Sequence, residues 1–318
     1  FRSVIPAQAG IQRLGSLIIM NLNFFFEVLI GGLLSGVMYA LVALGFVLIY
    51  KASGVFNYAQ GSMVFFAALT CVSLTELGWP LWVAIAATIV AMSVLGLAIE
   101  RVVLRPLVNQ PEISLFMATI GLSFFIEGMA QLMWGAEVKR LDLGIEDVPM
   151  ESLMQSLNII VSRFDLISAA ICALLVAGLA VFFSRTKVGR ALRAVADDHQ
   201  AALAVGIPLQ QIWGIVWGVA GFVALVAGLL WGSRNGVQFS LTFVALKALP
   251  VLILGGFTSV PGAIIGGLII GASEKLAEVY LGPFVGGGIE GWFPYVLALL
   301  FLLVRPEGLF GEKIIRRI

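Results

Sequence analysis

The sequence predicts an all-α fold, a polytopic integral membrane bundle of about nine transmembrane helices, with eight to ten compatible with the pattern. Three observations carry this. Hydrophobic residues make up 60% of the 318 positions. They gather into unbroken runs of the length that crosses a bilayer, since a hydrocarbon core ~30 Å thick takes about twenty helical residues. Many of the 36 glycines fall inside those runs, where small residues let helices approach closely in lipid. Backbone in lipid must satisfy its own polar groups, so it forms helices or a closed barrel. Runs this long and continuous exclude the barrel.

The first run, 27–50, follows the string MNLNFFFEVLIGG that opens at Met20. Residues 1–19 lack the n-region, h-region and cleavage-site order of a signal peptide. They resemble translated intergenic repeat DNA, and are expected to be a non-native N-terminal extension. That leaves 20–318 as a single transmembrane domain. Further runs cover 59–77, 81–100 and 114–134, and each is expected to span. The loop 135–163 holds five acids against three bases. Runs at 165–184 and 211–232 flank a polar segment, 185–210, and the last three lie at 242–258, 261–281 and 291–304. The two cysteines, Cys71 and Cys172, fall inside runs and read as small buried groups, not a disulfide. Glycine-rich patches recur at 31–36 and 255–267, a pattern also met in the internal repeats of transporters.

Lysine and arginine sort by side. Alternating the loops gives one face Lys51, Arg101, Arg105, Arg185, Lys187, Arg190, Arg193, Arg305, Lys313, Arg316 and Arg317. The other face has Lys139, Arg140, Arg163 and Arg234, with Arg2 and Arg13 of the leader. The richer face is cytoplasmic by the positive-inside rule. The C-terminus is then cytoplasmic and the true N-terminus outside.

Several chemistries are unequipped. A phosphate-cradling P-loop requires Gly-Lys-Ser/Thr, and none of the six lysines follows a glycine. His199 is the single histidine, so no H-E-x-x-H zinc site exists, and no metal ligand set is expected. No cofactor and no nucleic-acid partner are expected. A chain so built moves solutes on energy supplied elsewhere, or on an ion gradient.

The segment RTKVGRALRAVADDHQAALAVGI, 185–207, is the polar interruption that points to a partner. Arg190 and Arg193 lie three apart on one helical face, and Ala194, Val195, Ala201, Ala202 and Leu203 form an apolar stripe. Asp197 and Asp198 interrupt the basic run, which disfavours a helix held by lipid alone. Gln200-Ala201-Ala202-x-x-x-Gly206 resembles the E-A-A-x-x-x-G loop of ABC-importer permeases, with Gln200 in place of the glutamate and no downstream leucine-proline. An interfacial helix without a partner is the alternative.

The resemblance extends over nearly everything after Met20. Gly36-Val37-Met38-Tyr39-Ala40-Leu41-Val42-Ala43-Leu44-Gly45, then Asn57-Tyr58-Ala59-Gln60-Gly61, the late Gly255-Gly256-x-x-Ser259-x-x-Gly262-Ala263, and the tail Arg305-Pro306-Glu307-Gly308-Leu309-Phe310-Gly311 appear in order. Together with GRALRAVADDHQAALAVGI they resemble branched-chain amino acid ABC permeases of the high-affinity leucine/isoleucine/valine uptake type. Ser62 departs from the acid common after Gly61, and Phe257 replaces a third glycine. The resemblance implies a permease subunit of the bacterial inner membrane, without its own ATPase motif. It implies as partners a second related permease, two cytoplasmic ABC ATPases that bind the ATP, and a periplasmic substrate-binding protein. It implies coupling to the ATPase through Gly189, Arg190, Arg193, Ala201, Ala202 and Gly206. Relatives of this type also serve urea and short amides, which leaves the substrate open, and an ion-coupled secondary transporter is the reading from another class.

Candidate translocation-path residues are Asn57, Gln60, Gly61, Glu127, Lys247 and Glu274. Asn57, Gln60 and Gly61 suit either a tight intracellular turn or a path lining. Charges at membrane depth are costly and pair or face water. Glu127 and Lys247, both in the outer half of their runs, are an expected pair, and Glu274 and Glu278 lie one turn apart beside Lys275. Their two readings are contacts to an amino-acid substrate and interhelical pairing.

Overall fold

The computed structural model describes residues 7–107, 110–197 and 199–311. In chain order the helices are α1 (Ala7–Ser53), α2 (Gln60–Glu76), α3 (Leu81–Ala98), α4 (Glu112–Trp134), α5 (Glu151–Leu157) and α6 (Arg163–Arg185). They continue with α7 (Lys187–Asp197), α8 (His199–Ala204), α9 (Leu209–Asn235), α10 (Val244–Lys247), α11 (Leu249–Gly255), α12 (Val260–Val285) and α13 (Phe293–Val304). No strand occurs among the described residues, only isolated bridges such as Lys139 to Val237.

Six helices are long and apolar enough to cross a membrane: Leu22–Ser53, Leu81–Leu107, Glu112–Trp134, Arg163–Arg185, Leu209–Asn235 and Val260–Val285. The other three expected runs are also helical but shorter: α2, the segment Phe239–Gly255, and α13. Two of them have a physical reason to be short. The chain enters α2 from inside the bundle, as described below. Phe239–Gly255 is broken into a 3-10 turn (Phe239–Phe243), α10 and α11.

Burial divides the helices into inner and outer sets. Along α1, residues 38–49 are buried on every face, with Leu41, Val42, Ala43 and Leu44 at 0% exposure. A helix apolar and covered all round belongs at the centre. α9 is the second central helix, buried from Ile212 to Gly232 at most positions. α3 instead buries one stripe, Ala84, Thr88, Met92 and Gly96, and exposes Val83, Val90, Val94 and Leu97. α4 likewise turns Phe124, Phe125 and Leu132 outward. Apolar surface on both faces of an outer helix suits lipid and would be a liability in water.

The glycine patches at 31–36 and 255–267 meet, at least in part, across one crossing. α1 and α12 approach until backbone touches backbone: a Cβ on Gly32 would lie 2.7 Å from the Gly271 carbonyl oxygen, and one on Gly267 2.6 Å from that of Gly36. Lipid gives no hydrophobic drive to helix pairing, so close van der Waals packing of this kind holds the pair.

The bundle has two chemically distinct ends. At one, Lys139 pairs with Glu76, Arg234 with Asp165 at 2.6 Å, and Lys275 with Glu290 at 3.0 Å. At the other, Lys51, Arg193 and Phe310 border one cavity, and Arg105 and Leu203 another. The Lys51 and Arg193 end is the one that the charge sorting assigned to the cytoplasm. Lys313, Arg316, Arg317 and Asp198 lie outside the described residues, as does Arg2.

Candidate functional site: a cavity between two interrupted segments

α1 stops at a glycine. Gly54 takes φ +70°, the left-handed cap conformation that glycine adopts without steric cost, and its N–H reaches the Tyr50 carbonyl at 2.7 Å. The chain then turns back into the protein. Gln60 packs against Gly45, where a Cβ would come within 2.5 Å of its Nε2. Gly45 lies eight positions before Ser53, or about 12 Å of helix rise. Residues 54–59 are therefore irregular backbone that re-enters the bundle, with Val55, Asn57 and Ala59 buried, as suits non-helical backbone kept from lipid.

Asn57 organises this re-entry. Its Oδ1 accepts the Ala59 N–H at 3.1 Å, and its Nδ2 donates to Gln60 Oε1 at 3.4 Å. Both side chains are 0% exposed, and neither is among the residues lining the adjacent cavity. The turn is a tight and buried one, and Asn57 and Gln60 stand behind the cavity wall without being among its lining residues. Gln60 Nε2 is buried without a hydrogen-bond partner among the described residues.

Gly61 does face the cavity, a space of about 220 Å³ between the start of α2, the middle of α4 and the broken segment Phe239–Leu249. Its polar wall is Ser62, Ser123, Glu127 and Thr242, and its apolar wall is aromatic, with Phe46, Phe56, Tyr58 and Phe243 among the rings. Ser62 donates to Glu127 Oε1 at 2.7 Å and Ser123 donates to the same oxygen at 3.1 Å. No ion pair among the described residues includes Glu127.

Lys247 does not pair with Glu127. It reaches Glu274 Oε1 at 3.1 Å, on the other side of the broken segment. Tyr39 donates to the same oxygen at 3.2 Å, and the Lys247 ammonium lies 5.9 Å from the Tyr39 ring centroid. Glu274 is 1% exposed. This pair, absent from the cavity lining, ties α10 to α12 and α1. Of the six candidate path residues, the structure brings Gly61 and Glu127 together, with Asn57 and Gln60 behind them and Lys247 with Glu274 apart. Glu278 is engaged elsewhere, accepting the N–H groups of Gly288 and Glu290 at 2.8 and 2.9 Å.

The segment 185–207 is helical over Lys187–Asp197 and His199–Ala204. Leu192, Val195 and Ala202 face inward, at 2%, 0% and 2% exposure, whereas Lys187, Arg190, Arg193 and Ala201 face outward. Gly189 packs its α-carbon onto the Phe183 carbonyl, leaving no room for a Cβ. Arg193 caps the end of α6 by donating to Phe183 O at 2.9 Å. Gly206 adopts φ +81°, and Ile207 N–H returns to Ala202 O at 3.0 Å, closing the C-terminal turn. The side chain of Gln200 lies outside what is described.

The sequence pattern assigns no site role to Ser123 or Thr242, and Tyr39 enters it only as a member of the Gly36–Gly45 motif. Ser123 stands four before Glu127, a spacing that puts both on one helix face, so that partner was within reach of the pattern. Tyr39 and Thr242 carried no such signal.

A sequence profile described as "Branched-chain amino acid transport system / permease component" matches residues 28–305. The chain is 31% identical over 308 residues to the high-affinity branched-chain amino acid transport system permease protein BraD of Pseudomonas aeruginosa, covering 92% of this chain and 98% of that protein. It is 30% identical over 317 residues to the corresponding permease protein LivH of Escherichia coli, covering 93% and 98%. The LivH protein of Salmonella typhimurium is 29% identical over 308 residues, covering 93% and 98%. With the profile running from within α1 to just past the end of α13, the chain belongs to the family of permease components of branched-chain amino acid transport systems.

Proposed function

We propose that this chain is the membrane subunit of an ATP-driven importer that carries branched-chain or related amino acids across the bacterial inner membrane. The observation that carries the reading is the cavity at Gly61 and Glu127. It is enclosed by the re-entrant 54–59 segment and the broken 239–255 segment. Interrupted helices at membrane depth recur where transporters hold their substrates. Nine membrane segments follow, six long and three short, alternating in direction from an outer N-terminus to a cytoplasmic C-terminus. A second permease subunit, two cytoplasmic ATPases and a periplasmic binding protein complete the assembly. The exposed face of α7, with Arg190 and Arg193, is the surface offered to an ATPase, and its contacts to α6 and α1 would pass movement into the bundle.

One feature favours a second reading. Among the described residues Glu127 has hydroxyl partners and no cation, which also suits a proton-carrying group in an ion-coupled transporter. The two separate in proteoliposomes containing the purified complex, with labelled leucine presented by the binding protein. Uptake that requires ATP and persists after the ion gradient is collapsed supports the importer. Uptake that survives ATP depletion while a proton gradient stands overturns it.

A further inference from the structure

We propose that the groove between α6 and the α1–α12 pair binds one anionic phospholipid, its phosphate at the basic end and an acyl chain in the slot beneath. Two cavities lie along the same three helices. The first, about 490 Å³, is bordered by Lys51 of α1, Ser184 of α6, Arg193 of α7, and Thr258 and Ser259 at the start of α12. Among the described residues none of its lining is acidic. The second, about 240 Å³, is bordered among the described residues by apolar ones alone, including Val37 and Ala40 of α1, Ala177 of α6 and Leu268 of α12.

Passing from the first cavity to the second moves from Lys51 to Ala40 on α1 and from Ser184 to Ala177 on α6. At 1.5 Å per residue that is roughly 10–17 Å deeper, comparable to the ~15 Å hydrocarbon depth of one leaflet. A basic chamber at the membrane boundary above a wholly apolar slot has the polarity profile of a phospholipid. The groove also has an entry from the bilayer. On the outer face of α6, Leu174 and Val181 are 75% and 59% exposed, and Gly178 between them has open space where a side chain would be.

The donors are available. Neither Lys51 nor Arg193 belongs to any ion pair among the described residues. Arg193 spends one guanidinium nitrogen on Phe183 O and keeps the others, and the Ser259 hydroxyl, which accepts from Gly262 N–H at 3.0 Å, retains its own proton. Basic pockets between membrane helices on the cytoplasmic side suit phosphate headgroups. A free phosphate would account for the upper chamber alone; the apolar slot below it is what selects a lipid. Because Gly189 and Leu192 of α7 share the upper wall, the lipid would also brace α7 against α1.

The test is native mass spectrometry of the delipidated complex with phosphatidylglycerol, phosphatidylcholine or inorganic phosphate added in turn. The expected result is a phosphatidylglycerol adduct on each permease, retained against phosphatidylcholine, and roughly tenfold weaker in Lys51→Met, the scale of a lost charge-assisted contact. Lys51→Arg should restore it, which separates loss of charge from loss of fold. Ala177→Phe, filling the slot, should weaken the lipid and leave any phosphate adduct alone. Equal retention of the two lipids, or no effect of Lys51→Met, overturns the proposal. So does binding of phosphate without phosphatidylglycerol. An adduct that forms only after the ATPase subunits are stripped would make the groove a protein contact, and would overturn it too.

Discussion

Gly61 is glycine because the Thr242 carbonyl occupies the place of its side chain: a Cβ there would collide with that oxygen and lie 3.0 Å from Ala245 Cβ. The contact joins the two interrupted segments of the bundle, one re-entrant and one broken, beside the cavity they share. Both obstacles belong to a short, packed element, so neither can swing aside as a long side chain would.

Gly61→Ala should therefore cost stability, in the ~1–3 kcal/mol range of overpacked interiors. Gly121→Ala is the control, since a Cβ at Gly121 meets nothing within 4 Å. There, alanine should be neutral or stabilising, as in any open helix interior. Thermal melts of the purified protein compare the two. Equal melting temperatures would mean that the Gly61–Thr242 approach is not a constraint.

The Lys247–Glu274 pair predicts an asymmetry. The Lys247 side chain is 35% exposed and that of Glu274 2%. Lys247→Met strands a buried carboxylate with only Tyr39 to donate to it, a change of the kind that costs ~3–5 kcal/mol. Glu274→Leu strands a lysine whose long side chain is already partly exposed and can turn outward, so it should cost less. The double variant should recover part of the loss. Yield of assembled protein is the readout, and Glu274→Leu proving the worse single would refute the ordering.

The sequence read well where a signal repeats along one helix. The nine apolar runs are helical, because length and apolarity are properties of a segment alone, but only six are long and apolar enough to cross a membrane and the run 242–258 is broken into pieces. Along 187–204 helical period was followed only in part: Val195 and Ala202 of the expected apolar stripe are buried and Arg190 and Arg193 face outward, but Ala201 and Leu203 are exposed. Contacts between segments were much less legible. Nothing in the pattern told that Lys247 would turn to Glu274 and not to Glu127, since periodicity gives a face and never the neighbour. Nor did it place Asn57 and Gln60 at depth: polar residues between two apolar runs look like a surface turn until Gly45 is known to lie against Gln60.

At the α6–α7 corner, position and exposure separate two kinds of residue. Gly189→Ala forces a Cβ into the Phe183 carbonyl and should lower stability by ~1–3 kcal/mol. Arg190 is exposed, so Arg190→Glu should leave melting within ~0.5 kcal/mol of the parent. If α7 is the ATPase contact, that same variant should hydrolyse ATP with little uptake. Normal uptake per ATP in Arg190→Glu would remove α7 from the coupling surface.

Glu127→Gln separates the path from the scaffold. Its carboxylate lies at membrane depth with two serine hydroxyls and, among the described residues, no ion-pair partner. An uncompensated charge in low dielectric destabilises the fold that holds it. Glutamine keeps an acceptor for Ser62 and Ser123 and removes the charge, so stability should hold or rise, opposite in sign to the Lys247→Met change. If the carboxylate meets the ammonium of a passing amino acid, or carries a proton, uptake should fall by about tenfold or more, each tenfold corresponding to ~1.4 kcal/mol at the limiting step. Melting and uptake measured on the same preparation decide the matter. Stability lost together with uptake would make Glu127 a packing residue, and stability gained with uptake unchanged would take the cavity out of the path.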